Sequence, residues 1–279
     1  MALALILSSH VAASRVGGSA QVLALAQFRI DAMLAPTVLY GRHPGWGPPG
    51  GGPVPAETFG GMLEGVEANG LHAQIDLVLT GYFASAAQVT AAVRAIDGVR
   101  AAPRDRGARR PVVIVDPTLG DAPKGLYVPA EVAEAVVDEL VPRADIVAPN
   151  AWELQRLTGV DVRDASEALA AARLVGKPVM VSSVGRGAEI GAVYADKDEA
   201  WLAAHPRGES APKGTGDLLS ALFAAALIDG LTGSHALVRA VSGVAETIAA
   251  AQGAAELPIV AMGQKLKAAS PHVRLERLA

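Results

Sequence analysis

Short apolar runs alternate along this chain with longer stretches in which apolar residues recur every three to four positions. The runs predict strands at 3–7, 33–39, 75–80, 112–116, 145–148, 178–183 and 190–195. The longer stretches predict helices at 18–29, 56–69, 85–97, 129–140, 150–157, 165–175, 216–229 and 234–252. Val112-Val113-Ile114-Val115 is apolar without alternation, which marks a strand buried on both faces. Such strands belong to a parallel sheet covered by helices on each side. In sheets of that kind the ligand crevice lies at the carboxyl ends of the strands.

The polar motifs fall at those ends. Ser8, Ser9 and His10 follow the first predicted strand, and Thr80-Gly81-Tyr82 follows the third. Asp116 closes the fourth, in Asp116-Pro117-Thr118-Leu119-Gly120-Asp121. Pro149-Asn150-Ala151-Trp152-Glu153 follows the fifth, and Ser182-Ser183 follows the sixth. One polar strand end is chance; five in register describe a site. Taken singly each has a plain reading: Asp116-Pro117 as a strand-to-turn exit, Glu153 as an exposed charge on a helix capped by Asn150, Tyr82 as a packing residue, His10 as a loop-holder beside Ser9.

Lys213-Gly214-Thr215-Gly216-Asp217 runs directly into the apolar helix beginning at Leu218. Two glycines at a helix start let backbone N–H groups converge on an anion, and the helix dipole adds partial positive charge there. Asp217, in the first turn, stands where it can act as a base beside that anion. Phosphoryl transfer to an alcohol requires these two things together.

Composition narrows the field. The 279 residues are 51% hydrophobic but only 4% aromatic, so the core is built from Ala, Val, Leu and Ile. The net charge of −4 offers no nucleic-acid or basic membrane surface. Arg104, Arg106, Arg109 and Arg110 are expected to form a solvated loop. Cysteine is absent, which removes disulfides, thiolate metal sites and a cysteine nucleophile and fits a cytoplasmic protein. The apolar start, residues 1–9, lacks a basic leader and reads as a buried strand; no apolar run is long enough for a membrane span. Residues 41–55 hold eleven Gly or Pro among fifteen, so they are expected to form neither helix nor strand. With His43 and Trp46 in it, this loop reads as a lid. The chain is expected to be a single domain, 1–279.

With these residues laid out, the chain resembles the ribokinase-like (PfkB-type) kinases, and among them the pyridoxal kinases, from about Ile6 to about Gln252. The Gly-Thr-Gly-Asp signature at 214–217 carries the superfamily. Ser9-His10-Val11, Gly17-Gly18-Ser19-Ala20, Thr80-Gly81-Tyr82, residues 116–121 and residues 149–154 carry the closer likeness through their order and spacing. The resemblance implies a three-layer α/β/α fold with a mostly parallel central sheet flanked by helices and no separate lid domain. It implies ATP- and Mg²⁺-dependent phosphorylation of the 5′-hydroxymethyl group of pyridoxal or a related vitamer. It also implies a homodimer, and leaves open a monovalent cation as activator.

Carried over by position, Asp217 is the catalytic base, and the N–H groups of Gly214, Thr215 and Gly216 form the anion hole. Asp116 and Glu153 organise the magnesium and its waters, a task that suits hard carboxylates. Asp121, Asn150, Ser182, Ser183 and Lys213 fall on the ATP side. Ser9, Gly18, Ser19, Tyr82 and His43 fall on the substrate side, where a flat heteroaromatic ring needs a stacking surface and a few directed hydrogen bonds.

The chain departs from the family pattern at Gly18, where Asn is usual, at Ala148, where Thr is common, and at Lys213, where an apolar residue is common. The stretch from Trp201 to Pro212 is short and polar and is expected to cover the nucleotide. No lysine follows Ser182-Ser183, which leaves its phosphate contact to Ser182, Ser183 or Arg186. A hydroxymethylpyrimidine or mixed-specificity vitamin kinase remains open, although Tyr82 and the His43 loop favour pyridoxal. A sugar kinase would need more Asn and Asp near the start than Asp31. A dinucleotide oxidoreductase would need a third glycine after Gly214-Thr215-Gly216, and no P-loop pattern is present. A vitamer-binding protein with weak catalysis would be free to lose Asp217, which is kept.

Overall fold

The computed structural model describes residues 1–105, 109–208 and 210–279. Its strands are β1 (Ala2–Val11), β2 (Ile30–Tyr40), β3 (Gly51–Pro53), β4 (Ile75–Thr80), β5 (Val112–Val115), β6 (Gly120–Asp121), β7 (Gly125–Leu126), β8 (Ile146–Val147), β9 (Val179–Arg186), β10 (Glu189–Ala195), β11 (Ala200–Pro206) and β12 (Arg274–Arg277). Ten of them form one sheet in the order β12-β11-β10-β9-β8-β5-β4-β1-β2-β3, and β6 and β7 make a separate hairpin. The centre, from β2 to β9, is parallel; β3 on one side and β10 to β12 on the other run antiparallel.

The helices are α1 (Gly17–Ala26), α2 (Ala56–Ala68), α3 (Ala86–Ala101), α4 (Ala130–Ala135), α5 (Ala151–Thr158), α6 (Ala165–Leu174), α7 (Thr215–Ile228), α8 (Gly233–Ala251) and α9 (Ile259–Met262). Period-2 alternation in buried strands sends neighbouring side chains to opposite helix layers. Ala4 and Ile6 of β1, with Leu77 and Leu79 of β4, pack with α1, α7 and α8. Leu5 and Leu7, with Ile75 and Val78, pack with α2, α3 and α4. Leu154 of α5 and Ala168, Ala171 and Ala172 of α6 cover β9 to β11. The result is a three-layer α/β/α arrangement around a mostly parallel sheet.

Helix α7 sits at the centre of one layer. Leu218 to Ala226 are all buried in it, because the helix is apolar on every side and must be covered on every side. Burying each leucine or phenylalanine contributes about 1.5–3 kcal/mol, well above any helix propensity. The N-terminal turn of α7 is thereby held rigidly at the carboxyl edge of the sheet.

Several expectations are corrected. Residues 41–55 are not free of regular structure: Gly51–Pro53 pairs with Val38–Tyr40 as an antiparallel edge strand. Proline is tolerated at a sheet edge, and Gly51 is required, since a Cβ there would stand 2.0 Å from Leu39 O. The first half of the Trp201–Pro212 stretch is strand β11, paired along its length with β10. The helix predicted at 129–140 is α-helical only to Ala135 and continues to Leu140 as a wider π-type turn. Arg104 is not solvated: it bonds Ile75 O and pairs with Asp76 at 3.1 Å. Arg109 bonds the carbonyl of Ile228 at the end of α7. Arg106, and Glu209 of the polar 207–210 stretch, lie outside the described residues.

Candidate active site

At the carboxyl end of β1 the pairing with β2 slips between Ser8 and His10, where Thr37 and Val38 of β2 stand against Ser9 alone. The Ser9 hydroxyl lies against Gly17, where a Cβ would stand 1.9 Å from Ser9 Oγ. Gly17 is left-handed, with φ +55°, and opens α1 directly over Ser9. Gly18 is equally confined: a Cβ there would meet Leu34 Cδ1 at 2.4 Å and Ser9 O at 2.9 Å. The departure at Gly18 is therefore matched by Leu34, whose side chain fills the adjoining space.

Ser19 is placed differently from expectation. Its hydroxyl accepts from Val11 N at 3.0 Å, donates to Val11 O, and lies 3.3 Å from His10 Nδ1. It ties the end of β1 to α1. Tyr82 leaves β4 partly buried, with its carbonyl held by Thr37 Oγ1 at 2.6 Å. Burial, then the neighbouring Tyr40, pushes its phenol up from the ordinary value, so it stays protonated.

Three carboxylates gather beneath the crevice. Asp116, at the end of β5, is buried and accepts from Thr118 Oγ1 at 2.9 Å and from Ser220 Oγ at 2.8 Å. Ser220 lies three residues beyond Asp217, on the same side of α7. Glu153 is only 2% exposed, which excludes its reading as a surface charge. Its Oε1 accepts from Leu119 N at 2.7 Å and Gly120 N at 3.3 Å, and its Oε2 from Asn150 N at 2.9 Å. Asn150 Oδ1 in turn accepts from Glu153 N, completing a capping box.

The Asn150 amide also donates to Gly120 O at 2.8 Å, so both ends of that side chain hold protein backbone and not nucleotide. Asp121, in the β6–β7 hairpin, is exposed rather than gathered with Asp116. Ala148 is buried among the apolar side chains packed under α7.

These carboxylates affect one another. Burial, then the charge of Asp116, pushes Glu153 up to about 8 against three N–H donors. Burial raises Asp116 as well, opposed by the Ser220 and Thr118 hydroxyls. Asp217 is pushed up to about 7, first by burial and next by Asp116, while the Gly17 N–H opposes the shift. Asp217 still keeps some surface toward the crevice. A carboxylate near neutrality is a far better proton acceptor than one in the ordinary range.

The start of α7 carries no side-chain cap. α3, α5 and α6 each have a side chain that accepts a first-turn N–H. α7 has none, and neither do α1, α2, α4 and α8; α7 differs from them in the left-handed Gly214 at its N-cap, with φ +90°. The first-turn N–H groups of α7 therefore have no side-chain acceptor. Gly214 must be glycine, since a Cβ would stand 2.1 Å from Arg15 O. From this turn a cavity of about 470 Å³ extends between β10, β11 and α8, lined by Ser182, Ser183, Thr215 and Gly216 among others. Ser183 holds φ +61°, a strained value for a serine and one that clusters at functional sites.

The 41–50 loop lies near the same mouth. Arg42 Nε staples it by donating to Pro48 O at 2.8 Å, and His43 Nδ1 accepts from Gly45 N at 2.9 Å. The His43 and Trp46 rings lie 5.5 Å apart. His43 is held below its usual pKa, chiefly by burial and then by the charges of Lys213 and Lys124. Lys213 is exposed, as the sequence favours, yet its charge reaches the loop. Lys124, Ser220, Gly17 and Leu34 carry parts of this site that the sequence reading did not assign. Gly17 left a signal in the Gly17-Gly18 pair, and Ser220 in its i+3 spacing from Asp217.

A raised carboxylate in the glycine-opened first turn of α7, beside a cavity of about 470 Å³, fits a phosphotransferase-type site. The chain matches the phosphomethylpyrimidine kinase family over residues 61–259, and it belongs to that family. It is 32% identical over 250 residues to a pyridoxal kinase of Corynebacterium diphtheriae, covering 87% of each chain. It is 34% identical over 230 residues to a pyridoxine/pyridoxal/pyridoxamine kinase of Bordetella avium, covering 80% of this chain and 76% of that one. The structure of pyridoxal kinase from Leishmania donovani in complex with ADP and pyridoxamine superposes over 100% of both chains, with a TM-score of 0.92 and 25% identity. The ribokinase-like architecture expected from the resemblance is thus the observed one.

Proposed function

We propose that the chain is a pyridoxal kinase, transferring the γ-phosphoryl group of ATP to the 5′-hydroxymethyl oxygen of pyridoxal to form pyridoxal 5′-phosphate. The observation that carries this reading is Asp217, raised to about 7, in the uncapped first turn of α7 at the end of the cavity. The named activities of the two relatives support the substrate class, and the ADP complex of the structural neighbour supports the donor.

In the proposed reaction the hydroxymethyl oxygen attacks the γ-phosphorus. A new O–P bond forms as the bond from that phosphorus to the β,γ-bridging oxygen breaks, and ADP leaves. Asp217 takes the hydroxyl proton, and the N–H groups of Gly214, Thr215 and Gly216 hold the transferring oxygens. Ser9 and Tyr82 orient the ring. His43, held below its usual pKa chiefly by burial, approaches from the loop, which excludes water.

Among the described residues no three His, Asp or Glu side chains converge as a metal cage. The donor set instead fits Mg²⁺ that keeps its waters: two buried hard carboxylates, Asp116 and Glu153, whose repulsion a cation relieves. When bound, Mg²⁺ neutralises charge on the donor phosphates. The reading extends to a homodimeric, cytoplasmic enzyme acting as one domain over residues 1–279, with sedimentation as the check on the dimer. Among the described residues no helix is long and apolar enough to cross a membrane.

A coupled assay with ATP, Mg²⁺ and separate samples of pyridoxal, pyridoxine, pyridoxamine and hydroxymethylpyrimidine tests the proposal. Rapid turnover of pyridoxal supports it. A second reading is a hydroxymethylpyrimidine kinase, a neighbouring pyrimidine specificity to the phosphomethylpyrimidine kinase that the matched family's description names; turnover of hydroxymethylpyrimidine alone would favour it. Repeating the assay with potassium and sodium decides whether a monovalent cation activates.

Two quantitative expectations follow from the geometry. Asp217 is active as the carboxylate, so kcat/KM for the vitamer should rise with pH through an acid limb near 7 and flatten above it. A limb below pH 5 would mean that Asp217 is not raised in the working enzyme. Tyr82→Ala should raise KM for pyridoxal about 10-fold, the scale of one ring contact, while leaving KM for ATP nearly unchanged. An equal loss for both substrates would remove Tyr82 from the ring site.

A further inference from the structure

Beyond Gly216 the cavity runs away from Asp217 into an apolar slot walled by Ile190, Leu219, Val241, Val244 and Ile248. Apolar walls suit a flat base but cannot tell one purine from another. Discrimination needs a polar group on the base's edge, held in a fixed direction. Glu246 of α8 is the one carboxylate among the described lining residues. Ser270 Oγ donates to Glu246 Oε1 at 2.5 Å, and Ser270 Oγ itself accepts from His272 N at 3.2 Å. The clamp fixes the carboxylate direction and uses one of its oxygens. Among the described residues no donor side chain or backbone N–H meets the other oxygen, Oε2.

We propose that Glu246 is the specificity-determining residue for the nucleotide base, accepting a hydrogen bond through Oε2 from the exocyclic 6-amino group of adenine. A single free carboxylate oxygen matches a single amine donor. It repels the 6-oxo group that guanine and hypoxanthine present at the same position. Ser270 acts through Glu246, as a positioning residue. The inference rests on ATP being the phosphoryl donor.

The test is a chemical double-mutant cycle. Wild type, Glu246→Ala and Ser270→Ala are assayed for pyridoxal phosphorylation with ATP and with purine riboside 5′-triphosphate, which differs from ATP only in lacking the 6-amino group. In the wild type, kcat/KM with ATP should exceed that with the purine analogue by about 10-fold or more, the scale of a hydrogen bond to a charged group. Glu246→Ala should bring the ratio close to one, chiefly through KM for ATP. Ser270→Ala should lower the ratio only in part, because the carboxylate remains but is less well held.

A ratio unchanged in Glu246→Ala overturns the proposal and leaves Glu246 as a clamp on the 270–272 segment, which would depress both nucleotides equally. If Glu246→Ala does not fold, the wild type still decides: equal use of ATP and the analogue overturns the proposal. Failure to phosphorylate any vitamer with ATP defeats the kinase reading instead, so the two failures are distinct.

Discussion

Asp217→Asn should lower kcat by about 10²–10⁴-fold while ATP binding is largely kept. The magnitude follows from what the position does. A carboxylate in the ordinary range is a weak partner for an alcohol, and burial together with Asp116 lifts this one to about 7. The amide of Asn has similar size and still accepts from the Gly17 N–H, but it cannot take a proton. The loss should therefore fall on kcat, with the melting temperature nearly unchanged or raised, because an ionisable group is removed from an unfavourable burial. Single-turnover phosphorylation and equilibrium ATP binding on the same variant separate the two. Near-normal turnover would move the base to another residue.

Gly214→Ala should be almost as severe for a different reason. The residue sits at φ +90°, a left-handed conformation that costs a residue with a Cβ about 1–2 kcal/mol. Its Cβ would also stand 2.1 Å from the backbone oxygen of Arg15, which cannot yield as a flexible side chain would. The cap must shift, and with it the first-turn N–H groups aimed at the transferring phosphoryl. Losing one such donor typically costs about 10²–10³-fold in kcat. The expected result is a fall of at least about 100-fold in kcat, with a lower melting temperature and a modest change in KM for pyridoxal. Full turnover would show that the N–H groups of this turn are not the anion hole.

The two substitutions also separate the parts of the site. Asp217→Asn removes the proton acceptor and keeps the donors; Gly214→Ala moves the donors and keeps the acceptor. Residues acting on one transition state are not additive, so the double variant should lose less than the product of the single losses.

Much of this site could be read before any coordinates. The strands of the parallel centre were legible because each is a short apolar run, and apolar runs respond to burial on two faces wherever they lie. Asp116, Glu153 and Asp217 were legible because a carboxylate at a strand end or helix start stands out against apolar neighbours. The capping box at Asn150 and Glu153 is a pattern of four adjacent residues.

The strands at the antiparallel end of the sheet were harder. β11 is alanine-rich and β12 reads Arg-Leu-Glu-Arg, and neither has a local signature. They are strands because β10 and β11 offer edges to pair with. Ser19 and Asn150 carry donor and acceptor groups that suit a ligand equally well, and only the nearby backbone shows that those groups are already used.

By itself, then, the sequence determined the alternation of strands and helices, the ends at which chemistry gathers, and the glycine-flanked aspartate that opens α7. These depend on periodicity and on neighbours a few residues apart. Only the tertiary structure decided that Asp217 is lifted to about 7, that Leu34 fills the space beside Gly18, and that Ser270 clamps Glu246 on the cavity rim. A pKa depends on burial and on charges brought close from distant segments: Asp116 and Asp217 are 101 positions apart in the chain. The space beside Gly18 and the direction of Glu246 likewise depend on side chains from other elements. No pattern along the chain encodes such distances, because they exist only once the sheet has brought its strand ends together.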